Sequence, residues 1–180
     1  AIRATREIRP VAVKSFGDTV YVFDFGENMA GVCRLSVQGE KGTKITMQHG
    51  ELQKANGRVE MGNIDIYYKP LPGLAFQTDT YTLKGEGVET FTPDFTYHGF
   101  QYVEVKSDRP VKLNEESLTA LFVHTAVEPV GTFSCSNELM NKIWKATNQS
   151  YLSNLHSIPT DCPQREKNGW TADAHISIDL

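Results

Sequence analysis

Three carboxylates fall within thirteen residues near the C-terminal end of the chain: Asp161, Glu166 and Asp173, with Arg165 and Trp170 set between them. Pro159, Pro163 and Gly169 make the first half of this stretch a loop, because proline lacks the donor that a regular ladder needs. Crowded carboxylates disfavour one another's ionisation, so one of them can keep a proton to give away. Asp161 and Asp173 push in that direction. Arg165 and Lys167 push in the other, and distances decide the balance. A proton donor among acids, beside an indole able to wall a sugar ring, is the equipment of acid-assisted glycoside hydrolysis. The bland alternative is a solvated acidic segment neutralised by Arg165. His156, Asp161, Cys162 and His175 match no spacing that fixes tetrahedral zinc geometry, so neither a metal nor another cofactor is expected.

The elements that must carry this loop are of two kinds. Up to about Thr132 the chain reads as strands. Tyr21, Phe23 and Phe25 alternate with Val20, Val22 and Asp24; Cys33, Leu35 and Val37 oppose Arg34 and Ser36; Ile45, Met47 and His49 oppose Thr46 and Gln48. Period-two character returns at 78–83, 101–105 and 118–123. Glycine turns punctuate these runs, and the absence of helices between them predicts an antiparallel, jelly-roll-like β-sandwich. Residues 53–76, with Pro70 and Pro72, read as a long surface excursion. Asp24, Glu27 and Asn28 read as a hairpin turn without a chemical role. The aromatic run from Phe95 to Tyr102 reads as core or interface, bent at Tyr97-His98-Gly99.

The pattern changes at Ser136-Asn137, either of which can cap a helix. Leu139, Ile143, Thr147, Tyr151 and Leu155 then recur every four residues, which predicts about five helical turns ended by Ser157-Ile-Pro159, with the aromatic residues of the helix in the core. A second helix should open near Thr171 with Asp173 in its first turn, where a carboxylate suits the dipole. Residues 1–132 therefore form a sandwich domain and residues 133–180 the opening of a helical one. Two helices bury too little to stand as a domain, so the chain is expected to be a piece of a longer polypeptide.

Composition excludes several functions. A net charge of −4 without a Lys/Arg cluster argues against nucleic acid, and no apolar run reaches the roughly 18 residues of a membrane span. Three cysteines, at 33, 135 and 162, make neither a disulfide framework nor a paired zinc site, which leaves two buried thiols and one loop thiol. Association into a homo-oligomer is compatible with all of this.

Three stretches together resemble the bacterial α-L-rhamnosidases of glycoside hydrolase family 78: Asp24-Phe-Gly-Glu-Asn-Met-Ala-Gly31, Phe95-Thr-Tyr-His-Gly-Phe-Gln-Tyr-Val-Glu-Val105 and Asp161-Cys-Pro-Gln-Arg-Glu-Lys-Asn-Gly-Trp-Thr-Ala-Asp173. The third is the specific one. The resemblance implies a sandwich preceding an (α/α)6 barrel, and hydrolysis of terminal rhamnose from rhamnose-containing glycosides or polysaccharides with inversion. It makes Glu166 the general acid and gives sugar hydroxyls to Asp161. Asp173 would do likewise or steady the acid, Arg165 would orient polar groups, and Trp170 would pack on rhamnose. The general base would lie beyond Leu180. Two departures touch the loop geometry: many members have a longer charged segment before the glycine, and many have Gly where Ala172 stands. A stand-alone carbohydrate-binding sandwich is the alternative.

Overall fold

The computed structural model describes residues 1–65 and 75–176. In chain order its elements are β1 (Ile2–Ile8), β2 (Ala12–Ser15), β3 (Val20–Gln38), β4 (Lys44–Gly50), β5 (Leu52–Gln53), β6 (Val59–Glu60), α1 (Gly62–Asp65), β7 (Thr78–Thr82), β8 (Val88–Phe91), β9 (His98–Ser107), β10 (Leu118–Thr125), α2 (Glu138–Ser153), β11 (Leu155–His156), β12 (Ile158–Pro159) and α3 (Thr171–Ile176). Eight strands make one antiparallel sheet along the path β1-β10-β3-β9-β4-β7, with β2 and β8 also on β3. β3 is the spine, with β2 and then β10 along one edge and β9 and then β8 along the other. The sheet curls until its limbs face each other across one core. The sandwich expected from the strand pattern is thus built from a continuous sheet.

Alternation explains the core. Tyr21, Phe23 and Phe25 point into it with Cys33, Leu35, Val37, Ile45 and Met47, joined by Phe100, Val103 and Val105 of β9. Val22 faces the other way and is buried as well, against Val59, Met61 and Ile64. The described part of the supposed excursion therefore covers the sheet's second face with a small hairpin and α1; residues 66–74 lie outside the described residues. Asp24 to Asn28 is not a hairpin turn either. It lies within β3, where the register against β9 shifts between Asp24 and Met29. A bulge accommodates the extra residues without ending the strand, because Phe23 and Phe25 at its start and Met29 at its end all stay buried in the core.

Under the second face, Glu104 is a buried carboxylate held by Arg58 through Nε at 2.6 Å and Nη2 at 2.7 Å, by Lys106 at 3.0 Å and by the Val59 amide at 3.2 Å. Burial alone would push its pKa up from 4.5, but these donors outweigh it and hold the carboxyl at about 2. A carboxyl depressed on folding stabilises the fold above its unfolded pKa and loses that contribution as the pH falls through its folded one. The urea midpoint should therefore stay level from pH 7 to about 5 and drop between about pH 4.5 and 2. Glu104→Gln should flatten much of that drop, and an unchanged acid limb would show that other carboxyls cause it.

α2 begins as the sequence indicates, with the Asn137 side chain accepting from the amides of Leu139 and Met140. It ends at Ser153, four residues short of Ser157. The first part of its apolar stripe is not buried: Leu139, Met140, Ile143 and Trp144 are exposed, whereas Tyr151 is half-buried and Leu155, just past the helix, is buried. The side that docks on the sandwich carries Gln149, Leu152 and Ser153. Cys33 and Cys162 are the buried thiols and Cys135 the exposed one. No helix among the described residues is long and apolar enough to cross a membrane.

Candidate active site

The loop after α2 is closed at its neck. The Asn154 carbonyl accepts from the Thr160 amide at 2.7 Å and its hydroxyl at 3.0 Å, and Thr160 bridges Gly169. Within the neck the Asp161 amide donates to the Asn168 carbonyl at 3.0 Å, and the Asn168 amide returns a bond to Asp161 Oδ1 at 3.1 Å. A Cβ on Gly169 would stand 2.4 Å from Ile158 Cδ1, the end of an exposed side chain that packs over the neck. The Glu166 amide donates to Cys162 Sγ at 3.3 Å, so the buried thiol closes the inner turn. The turn hands on to α3, which starts at Thr171 with Asp173 in its first turn, as the sequence predicts.

Asp161 and Glu166, two of the residues singled out in the sequence, stand close enough for their side chains to interact. Asp161 is half-buried, and its carboxyl lies below the ordinary range. Burial opposes that shift, but bonds from the Asn168 and Cys162 amides, the Cys162 thiol and the Glu166 side chain prevail. Arg165 is half-buried one residue before Glu166. Glu166 and Asp173 are exposed, as is Trp170 at 52%. Trp170 and Asp173 thus sit on the open face at the start of α3, and Glu166 on the open face of the loop.

Asp161 also lines a cleft of about 410 Å³ between the sandwich and α2, with Glu27, Asn28, Glu51, Gln149 and Asn154 on its walls. Glu51 escaped the sequence reading, as did the contact between Tyr97 and Lys167. Lys167 Nζ donates to the Tyr97 carbonyl at 2.6 Å and lies 4.2 Å from the centre of that ring, whose other neighbour is the His156 imidazole, stacked at 4.0 Å. Burial pulls the Lys167 ammonium below its ordinary pKa, against the attraction of Asp79 and Cys162. The run Tyr97-His98-Gly99 was conspicuous in the sequence, but nothing local says that a loop sixty-odd residues later docks on it.

Among the described residues, one cluster has ligating atoms close enough for a metal ion: His49, Asp79 and His98. His98 Nε2 is 3.0 Å from both Asp79 oxygens, and the His49 and His98 rings stack at 4.2 Å and 24°. Near-parallel rings send their lone pairs side by side, whereas a tetrahedral cage needs donors that converge on a point. The cluster is a buried hydrogen-bonded group. His156, Asp161, Cys162 and His175 do not form such a cluster.

Residues 14–124, more than half of the chain, match the family described as the bacterial alpha-L-rhamnosidase concanavalin-like domain. The chain belongs to the bacterial α-L-rhamnosidase family. Residues 128–179 match a second rhamnosidase unit, the 6 hairpin glycosidase domain. An α-L-rhamnosidase of Formosa agariphila is 35% identical over 97% of the chain. Among solved structures, the α-L-rhamnosidase of "Dictyoglumus thermophilum" superposes with a TM-score of 0.87 at 43% identity over 99% of the chain. The Streptomyces avermitilis enzyme complexed with L-rhamnose gives 0.80 at 36% identity over 94%. The chain spans 18%, 19% and 16% of the length of these three rhamnosidases, respectively.

Proposed function

We propose that this chain is the sandwich and acid-bearing loop of an inverting glycosidase that releases terminal α-L-rhamnose, with the division between sandwich and helical domain near Thr132. Glu166 gives its proton to the glycosidic oxygen as the bond from that oxygen to the anomeric carbon breaks. A water then attacks the anomeric carbon from the opposite face and passes its proton to a carboxylate base. In an inverting enzyme that base stands about 6.5–9.5 Å from the acid. We assign it to a part of the protein outside these residues. Asp161 takes sugar hydroxyls and keeps negative charge beside the acid, Arg165 orients polar groups, and Trp170 offers its indole to the apolar side of the deoxy-sugar. Asp173 stands one helical turn from the indole on the same open face and serves either hydroxyls or the acid.

The closed neck of the loop, which keeps Asp161 and Glu166 on one short turn with Trp170 exposed at its exit, carries this reading. The exposed stripe of α2 and the exposed Trp170 fit a helical layer that closes over this side and makes the open face a cavity. The substrates are therefore rhamnose-containing glycosides. The test is hydrolysis of aryl α-L-rhamnoside, β-D-glucoside and α-L-fucoside side by side by the full-length protein, with the product anomer followed by proton NMR. Rhamnose should be released first as the β-anomer and the other two glycosides left intact. A first-formed α-anomer would overturn inversion. Equal turnover of the three sugars would overturn the specificity, and binding without turnover would favour a carbohydrate-binding module.

A further inference from the structure

Two of the three conspicuous stretches have no chemistry of their own, yet both end against the loop that bears Glu166. Asn28, on the β3 bulge, donates Nδ2 to Glu51 Oε1 at 2.8 Å, and Gln164 of the loop donates Nε2 to Glu51 Oε2 at 3.0 Å. The Asn28 carbonyl meanwhile accepts from Gln149 of α2 at 3.1 Å. Glu51, just past the end of β4, therefore joins the sandwich to the loop, and Asn28 extends the junction to the helix. We propose that Glu51 is the positioning residue that fixes the Glu166 loop on the sandwich, a role that rests on Glu166 being the acid.

Three further features make this junction a built one. Gly99 comes so close to the loop that a Cβ there would stand 2.8 Å from Pro163 Cγ and 3.0 Å from Gln164 Cβ. The buried Gln77 holds Gly99 in place from behind, donating to its carbonyl at 2.7 Å and accepting from its amide at 3.1 Å. On the far side of the acid, Lys167 is clamped to the Tyr97 carbonyl while its backbone holds φ +56°, a left-handed value that a non-glycine residue keeps only where its surroundings impose it. Glu166 is thus bracketed, with one clamp two residues before it and another one residue after. Only the first ends on a carboxylate, and bonds to an ionised acceptor are about twice as strong as neutral ones. Glu51 accepts on both oxygens at once, so it cannot let go of the loop without also giving up a charge-assisted bond.

The experiment is a double-mutant cycle in the full-length protein with Glu51→Ala, Gln164→Ala and the pair. It is read by amide hydrogen exchange over residues 162–168 and by kcat and KM on aryl rhamnosides with poor and activated leaving groups. Each single variant should speed exchange about tenfold or more, as expected when a bond to a charged acceptor is lost. Each should also lower kcat on poor leaving groups by roughly 10- to 100-fold, the scale of a displaced catalytic group, while KM stays within about twofold and activated leaving groups suffer less. The double variant should be no worse than the worse single one, since both remove the same bond. Unchanged exchange, strictly additive losses, or a raised KM at constant kcat would overturn the proposal. If the unaltered protein hydrolyses no rhamnoside, the acid reading falls, while the exchange cycle still decides whether Glu51 holds the loop. Should Glu51→Ala fail to fold, Gln164→Ala, which leaves the sandwich untouched, must show the same changes alone.

Discussion

Glu166→Gln in the full-length protein should slow turnover of rhamnosides with poor leaving groups by about 100- to 10,000-fold, the usual worth of a positioned proton donor. The substitution keeps the size of the side chain, and its amide can still donate to Asp161, so the loop should hold its shape. What it removes is a transferable proton. Activated leaving groups depart as anions with little help, and their turnover should fall much less. Because the side chain is exposed, the melting temperature should shift little. Equal losses on poor and activated leaving groups would remove Glu166 from the role of acid.

Gly31→Ala should have the largest effect on folding. Gly31 closes the first of the three stretches and pairs with Phe122 on β10 and His98 on β9. A Cβ built there would stand 1.9 Å from the Leu121 carbonyl oxygen and 3.0 Å from its carbon. Backbone cannot swing aside as a side chain does, so β3 and β10 must separate where Ala30, Cys33 and Phe122 are packed. Overpacking typically costs about 1–3 kcal/mol, and the loss of ladder hydrogen bonds should carry this case to the top of that range or past it. Urea titration of the 180-residue chain, followed by circular dichroism, measures it. Gly131→Ala is the control: nothing lies within 4 Å of its added Cβ, and it should change stability by less than about 0.5 kcal/mol. Matching midpoints for the two variants would show that the strands yield freely.

Gly31 also shows how far a sequence can be read. Its neighbours alternate cleanly, so the strand and its buried face follow from local pattern: Cys33, Leu35 and Val37 go inward because a period of two leaves them no other side. The carbonyl that excludes a Cβ from Gly31 belongs to a strand ninety residues later, and no local pattern encodes that approach. The Asp24–Asn28 stretch misled for a related reason. Its Asp, Gly and Asn favour a turn, but Phe23 and Phe25 at its start and Met29 at its end are buried in the core, which kept the strand running and turned the local preference into a bulge. The stripe on α2 is the converse case, where a strong helical period gave the helix and its cap correctly yet could not say which neighbour the stripe would meet.

The sequence by itself determined the chemistry on offer and the elements that carry it: an acid-rich loop between two helices behind a mostly-β domain, and the likeness to α-L-rhamnosidases. These are properties of residue type and short-range spacing, which survive in any one-dimensional reading. Only the tertiary structure decided which of the acids meet, that the loop rests on Tyr97 and Gly99, and that Glu51 reaches Gln164 across more than a hundred residues. Such contacts depend on how a curled sheet brings distant strand ends together, and hydrogen bonds between single side chains leave no periodic trace in the chain that forms them.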